Sequence, residues 1–171
     1  MTVSDSRNPD LRTIRIVLVL FIAALVVSGV TAFPLLREMD WLASWRGLAQ
    51  AAKPESLTGI DRWIVIVRDG LRDTYARYPW VAYGTDWLAF AHFAIAVFFI
   101  GPVIDPVRNV WVLRAGLIAC AGIIPLALVC GSVRGIPMGW RMIDCSFGVF
   151  GALPLAYCLR LAKRLEVARG N

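Results

Sequence analysis

Four stretches of this chain are each apolar for about 18–22 residues. As a helix rising 1.5 Å per residue, each makes a rod of roughly 30 Å, the thickness of bilayer hydrocarbon. They cover residues 14–33, 87–104, 110–131 and 142–161. In hydrocarbon every backbone N–H and C=O must find its partner within the protein, so an apolar stretch of this length crosses as a helix. Composition agrees: with 58% hydrophobic and 18% charged residues, a soluble fold would lack the polar side chains to cover itself. The expected architecture is an all-α integral membrane protein, with four transmembrane helices in an antiparallel bundle. We expect one membrane domain over the 171 residues and an extramembrane amphipathic helical hairpin over 35–85.

The first run, Ile14 to Phe33, is interrupted only by Arg15. Arg7, Arg12 and Arg15 form a basic n-region, and Val30-Thr31-Ala32 resembles a cleavage site for a signal peptide. The run exceeds the h-region of such peptides, about 7–15 residues, so we expect it to stay on the chain as a helix.

Residues 35–85 carry charges of both signs. Leu35, Leu36, Met39, Leu42, Trp45, Leu48, Ala49 and Ala52 recur at helical spacing, opposite Arg37, Glu38, Asp40, Ser44, Arg46 and Gln50. Lys53-Pro54-Glu55 ends that helix. A second is expected from the Thr58-x-x-Asp61 capping box to Pro79, with Ile60, Trp63, Ile64, Val67, Leu71, Tyr75 and Tyr78 on its apolar stripe. These faces need something to pack against.

The second span is expected to start at an N-cap of Thr85 or Asp86, and the third to kink at Pro125. Small residues should let the last two spans approach closely: Gly116 and Cys120 on one, Cys145, Gly148 and Ala152 on the other. The net charge of +6 follows from arginines and lysines flanking the spans, a membrane-surface pattern and not a nucleic-acid arm. Each side of the threaded chain carries nine of them, but density beside the short termini places both ends in the cytoplasm, in a bacterial inner membrane. Trp41, Trp45, Trp63, Trp80, Trp87 and Trp140 then fall on the external side, where indoles settle at head-group depth.

The threading also gathers Asp86, His92, Arg134, Arg141 and Asp144 near the external ends of the spans. A carboxylate at membrane depth is costly unless paired, and Arg141 precedes Asp144 by three residues on one helix face. Such a pocket could hold an anionic group on its arginines and move protons through Asp86, His92 or Asp144. The plainer reading, a salt-bridged cluster that fixes helix register, is the one we prefer. His92, the sole histidine, is expected to bond a neighbouring carboxylate or carbonyl. No metal site and no cofactor are expected. Haem is left open, with Met138 or Met142 as second axial ligand to His92, and so is quinone. Cys120, Cys130, Cys145 and Cys158 lie in apolar segments as fillers, with Cys130 and Cys145 a possible redox pair. Asp105, Arg108 and Arg114 form an internal cluster explained by a turn and the positive-inside bias.

No phosphate loop, zinc-protease motif or nucleophile elbow occurs. The expectation is therefore a non-catalytic accessory or partner-binding subunit acting through its external hairpin, with membrane lipids and a protein partner or second copy as its contacts. The alternatives are a small membrane enzyme or lipid- or anion-handling protein built on the polar pocket, and a proton-coupled carrier of small solutes. A cysteine introduced at Glu55 should react with an impermeant maleimide only from outside the cell; labelling only from the cytoplasmic side would invert the topology.

Overall fold

The computed structural model describes residues 8–48 and 54–170, with the backbone alone at 169 and 170. Arg7, Ala49, Gln50, Ala52 and Lys53, and the side chain of Arg169, lie outside the described residues. Those described form an all-helical chain without strands: α1 (Pro9–Ala32), α2 (Leu35–Trp45), α3 (Gly59–Arg77), α4 (Tyr83–Phe98), α5 (Ile100–Ile104), α6 (Val110–Val133) and α7 (Met138–Gly170). Short 3-10 turns at Pro54–Ser56 and Pro79–Ala82 precede α3 and α4. Four segments are long and apolar enough to cross a membrane: Pro9–Ala32, Pro79–Ile104, Val110–Val133 and Met138–Ala168.

The chain divides into two compact units, one reaching up to Ala24 and resuming at Ile95, the other Leu25–Ala94. In the first, α6 and α7 pack through the small residues expected. A methyl group placed on Gly148 would come within 2.5 Å of the Cys120 carbonyl oxygen, and one on Gly116 within 2.8 Å of Leu155 and Phe99. Gly131 in turn lies under the side chain of Arg141. The partners descend α7 as they ascend α6, so these two helices run in opposite senses. Leu11, Ile14 and Leu18 of α1 and Leu155, Cys158, Leu161, Ala162 and Leu165 of α7 are buried in the same unit. The fourth helix thus does not stop at Leu161: Lys163 and Arg164 face out while Leu161, Ala162 and Leu165 continue the buried stripe.

Proline and glycine set the remaining boundaries. Pro102 can give no N–H to the Phe98 carbonyl and its ring crowds that oxygen, which is where α4 ends and α5 begins. Past that break, the α5 carbonyls of Val103 and Ile104 accept from the Arg15 guanidinium at 3.1 and 3.4 Å. Asn109 donates its amide to the carbonyls of Gly101 and Asp105. Pro125 and Pro154, by contrast, are carried inside unbroken helices.

In the second unit α2 and α3 cover each other. Met39, Ala43, Leu48, Ile64 and Val65 form their shared core, flanked by Leu42, Leu57, Val67 and Leu71. Arg46 pairs with Asp61, and Arg72 pairs with Asp40 and reaches Asp69, setting the register. Three expectations change here. The first helix ends at Trp45, earlier than Pro54 implied, because Gly47 at φ 72° lets Leu48 N–H bond the Ala43 carbonyl and Gly47 N–H the Ser44 carbonyl. Thr58 makes no side-chain cap, and the Asp61 carboxylate pairs with Arg46. The stripe on α3 is rotated: Ile60 and Tyr78 are exposed, and Val65 and Arg68 are buried in their stead. Helix α4 also starts ahead of the expected cap, at Tyr83, with the Thr85 hydroxyl turned back onto the Ala82 carbonyl.

The α6–α7 contact is the tightest test of this packing. Gly148→Ala should cost about 1–3 kcal/mol, because the obstructing atom is backbone and cannot swing aside. Gly122→Ala, whose methyl would meet nothing within 4 Å, should be neutral or slightly stabilising. Reversible unfolding in mixed detergent–SDS micelles measures both.

Candidate functional site

The five polar candidates divide between the two units, Asp86 and His92 in Leu25–Ala94 and Arg134, Arg141 and Asp144 in the other. Their local settings differ from one another in ways the spacing did not reveal.

Arg141 lies in the first turn of α7, which begins at Met138. Its methylenes press on Gly131 of α6, where no side chain stands in the way, and the guanidinium donates to the Leu128 carbonyl at 3.2 Å. Its Nε is buried without a partner. The expected pairing with Asp144 is accordingly not formed: among the described residues Asp144 makes no ion pair, and it is half-buried one turn further along. Sequence spacing placed both on one face, but the lone pair offered across a glycine lies closer to the path of the arginine stem. Arg134 is the exposed C-cap of α6, followed by Gly135 at φ 69°, and Ile136 N–H closes the cap on the Gly131 carbonyl.

His92 sits on α4 with Nδ1 2.7 Å from the Leu88 carbonyl oxygen of its own helix. Its Cβ lies 3.1 Å from the point where a methyl on Gly29 of α1 would stand, so a close helix approach holds the ring's root in place. Nearly two turns back, Asp86 stands in a groove of about 210 Å³ lined by Tyr83, Trp87 and Phe90. Tyr83 and Trp87 meet edge to face at 5.9 Å and 80°, and Trp87 and Phe90 at 5.9 Å and 87°. Among the described residues no cation meets Asp86, whereas Asp40, Asp61, Asp69 and Asp73 each take an arginine.

All four cysteines are free thiols. Cys145 is buried and Cys130 exposed. Among the described residues no three His, Cys, Asp or Glu side chains converge as metal ligands would. In the internal cluster the Asp105 carboxylate accepts from Val107 N–H and Arg108 N–H, closing the turn ahead of α6, and Arg108 and Arg114 are exposed.

Sequence reasoning missed three things. Arg68, 6% exposed, donates to the Leu48 carbonyl just beyond the end of α2 and to Asp69. Arg15 caps α5. Tyr83 and Phe90 share a face with Asp86 and Trp87, a signal present as positions i, i+3, i+4 and i+7. Beside Asp61, the Arg46 guanidinium is held above its ordinary pKa by the hydrogen bond and charge of that carboxylate. No family model matches the chain, and neither do curated protein sequences or solved structures.

If Arg141 and Asp144 act separately, Arg141→Met and Asp144→Asn should be additive, with a coupling below about 0.5 kcal/mol in a double-mutant cycle. A coupling above that on the order of 1 kcal/mol or more would restore the ion pair.

Proposed function

We propose that this chain is a polytopic protein of a bacterial inner membrane, with its four long apolar helices in an antiparallel bundle and both termini in the cytoplasm. On this reading α2 and α3 form an external hairpin, and the protein is a non-catalytic subunit that binds a partner protein through it. The observation that carries the reading is a division of labour on α2. One face already has its core in Met39 and Ala43, while the other presents Trp41 and Trp45 stacked at 6.4 Å and 6°, 69% and 72% exposed. Large rigid indoles that the fold does not use are the side chains that most often anchor an interface. The ion pairs of the hairpin hold that surface in one shape before any partner arrives, so little ordering entropy is lost on binding.

The lipid- or anion-handling reading has less behind it, because the Arg141 guanidinium already serves the Leu128 carbonyl.

A photo-reactive phenylalanine analogue at Trp41, irradiated in native membranes, should give a discrete protein adduct that is absent when the probe replaces Arg62 on α3. The double change Trp41→Ala and Trp45→Ala should leave unfolding within about 0.5 kcal/mol of wild type, as expected for surface substitutions. Adducts with lipid alone at Trp41 would overturn the partner-binding reading.

A further inference from the structure

The Asp86 groove is a separate matter from the hairpin. We propose that Tyr83, Asp86, Trp87 and Phe90 of α4 hold the ammonium group of a zwitterionic phospholipid. The inference rests on the reading that this helix crosses a membrane, and takes from that reading only the presence of lipid at the groove.

Charge is the first argument. Asp86 is a half-buried carboxylate at the start of an apolar segment, and among the described residues it has no cationic partner. Four other aspartates of the same unit each hold an arginine. A carboxylate at the edge of hydrocarbon is stabilised by any cation it can recruit, and one from the bilayer is always at hand.

Ring geometry is the second. Tyr83, Trp87 and Phe90 follow the helical spacing that puts them on the face of Asp86, and each adjacent pair is set close to a right angle. π faces of differing orientation thus border one carboxylate, and the negative quadrupole of each face attracts a cation that carries C–H or N–H surface. A hard metal ion would instead need several oxygen ligands, and the groove offers one carboxylate. An anionic head group would be repelled by Asp86.

Depth is the third. Tyr78 and Trp80 precede the groove and are exposed, as aromatic side chains at head-group level are. Phe90 lies one turn deeper than Asp86, and Ala94 follows on the same stripe, so the face turns apolar in the direction that acyl chains would take. A free amine would use the first half of this surface only. A lipid uses both.

Native mass spectrometry of the full chain, purified in detergent and offered equal amounts of phosphatidylethanolamine, phosphatidylcholine and phosphatidylglycerol, tests the proposal. The two ammonium lipids should be retained over phosphatidylglycerol by about tenfold, the scale that a cation–π contact and one ion pair supply together. Asp86→Asn and Trp87→Leu should each bring that preference below about threefold, in keeping with the loss of either contact. Asp86→Glu should keep it. Equal retention of the three lipids by the wild type would overturn the proposal, as would an unchanged preference in Asp86→Asn. Should Asp86→Asn fail to fold, Trp87→Leu and the wild-type preference decide. Displacement of bound phosphatidylethanolamine by an equal concentration of free ethanolamine would overturn the lipid assignment in favour of a soluble amine. Alkaline carbonate extraction separates the two levels: a chain that stays in the pellet yet shows no lipid preference sinks this proposal alone, whereas release into the supernatant sinks the membrane reading beneath it.

Discussion

Where water is excluded, a backbone carbonyl must be answered from within the protein, and this requirement explains more of the structure than any charge pair does. At several points along the apolar helices a long polar side chain donates to a backbone carbonyl of another segment. Arg15 serves Val103 and Ile104, Asn109 serves Gly101 and Asp105, and Arg141 serves Leu128. The same device works in the α2–α3 pair, where buried Arg68 takes the Leu48 carbonyl after the helix has closed. Charge-assisted hydrogen bonds of this kind are stronger than neutral ones, and a cationic group at a helix C-terminus also meets the negative end of the macrodipole.

This shifts the meaning of arginine in an apolar sequence. A basic residue at membrane depth invites a search for its acidic partner, and for Arg141 the obvious candidate stands three residues away. A carbonyl offers a lone pair without adding a second charge to be desolvated, and Gly131 opens the route to it. Asp144 and Asp86 are then left to other company, and they differ in surroundings: Asp86 has aromatic rings about it.

The four helices long and apolar enough to cross a membrane were legible because their signal is a sum over some twenty residues, which no single substitution obscures. The close packing of α6 on α7 was legible too, since Gly148 and Cys120 announce themselves by size. Boundaries were harder. Lys163 and Arg164 look like the end of a span, yet a helix keeps its period past them and buries Leu165. The capping box expected at Thr58 does not form, and Asp61 pairs with Arg46 in another helix, which no local pattern contains. Of the candidate site, residue identities were readable and their partners were not, because a partner such as the Leu128 carbonyl has no letter of its own.

Two chain reversals share one construction. Arg46-Gly47-Leu48 closes α2 and Arg134-Gly135-Ile136 closes α6, each with the glycine at positive φ and the aliphatic residue returning its N–H to the last turn. The backbone at these two points is, in effect, of the opposite hand. A D-alanine there would occupy the well natural to its own chirality and lose less entropy than glycine on folding, while its L-enantiomer would strain the same turn. Mirror-image substitution, accessible through chemical synthesis and ligation, would therefore stiffen both reversals without touching a single side-chain contact.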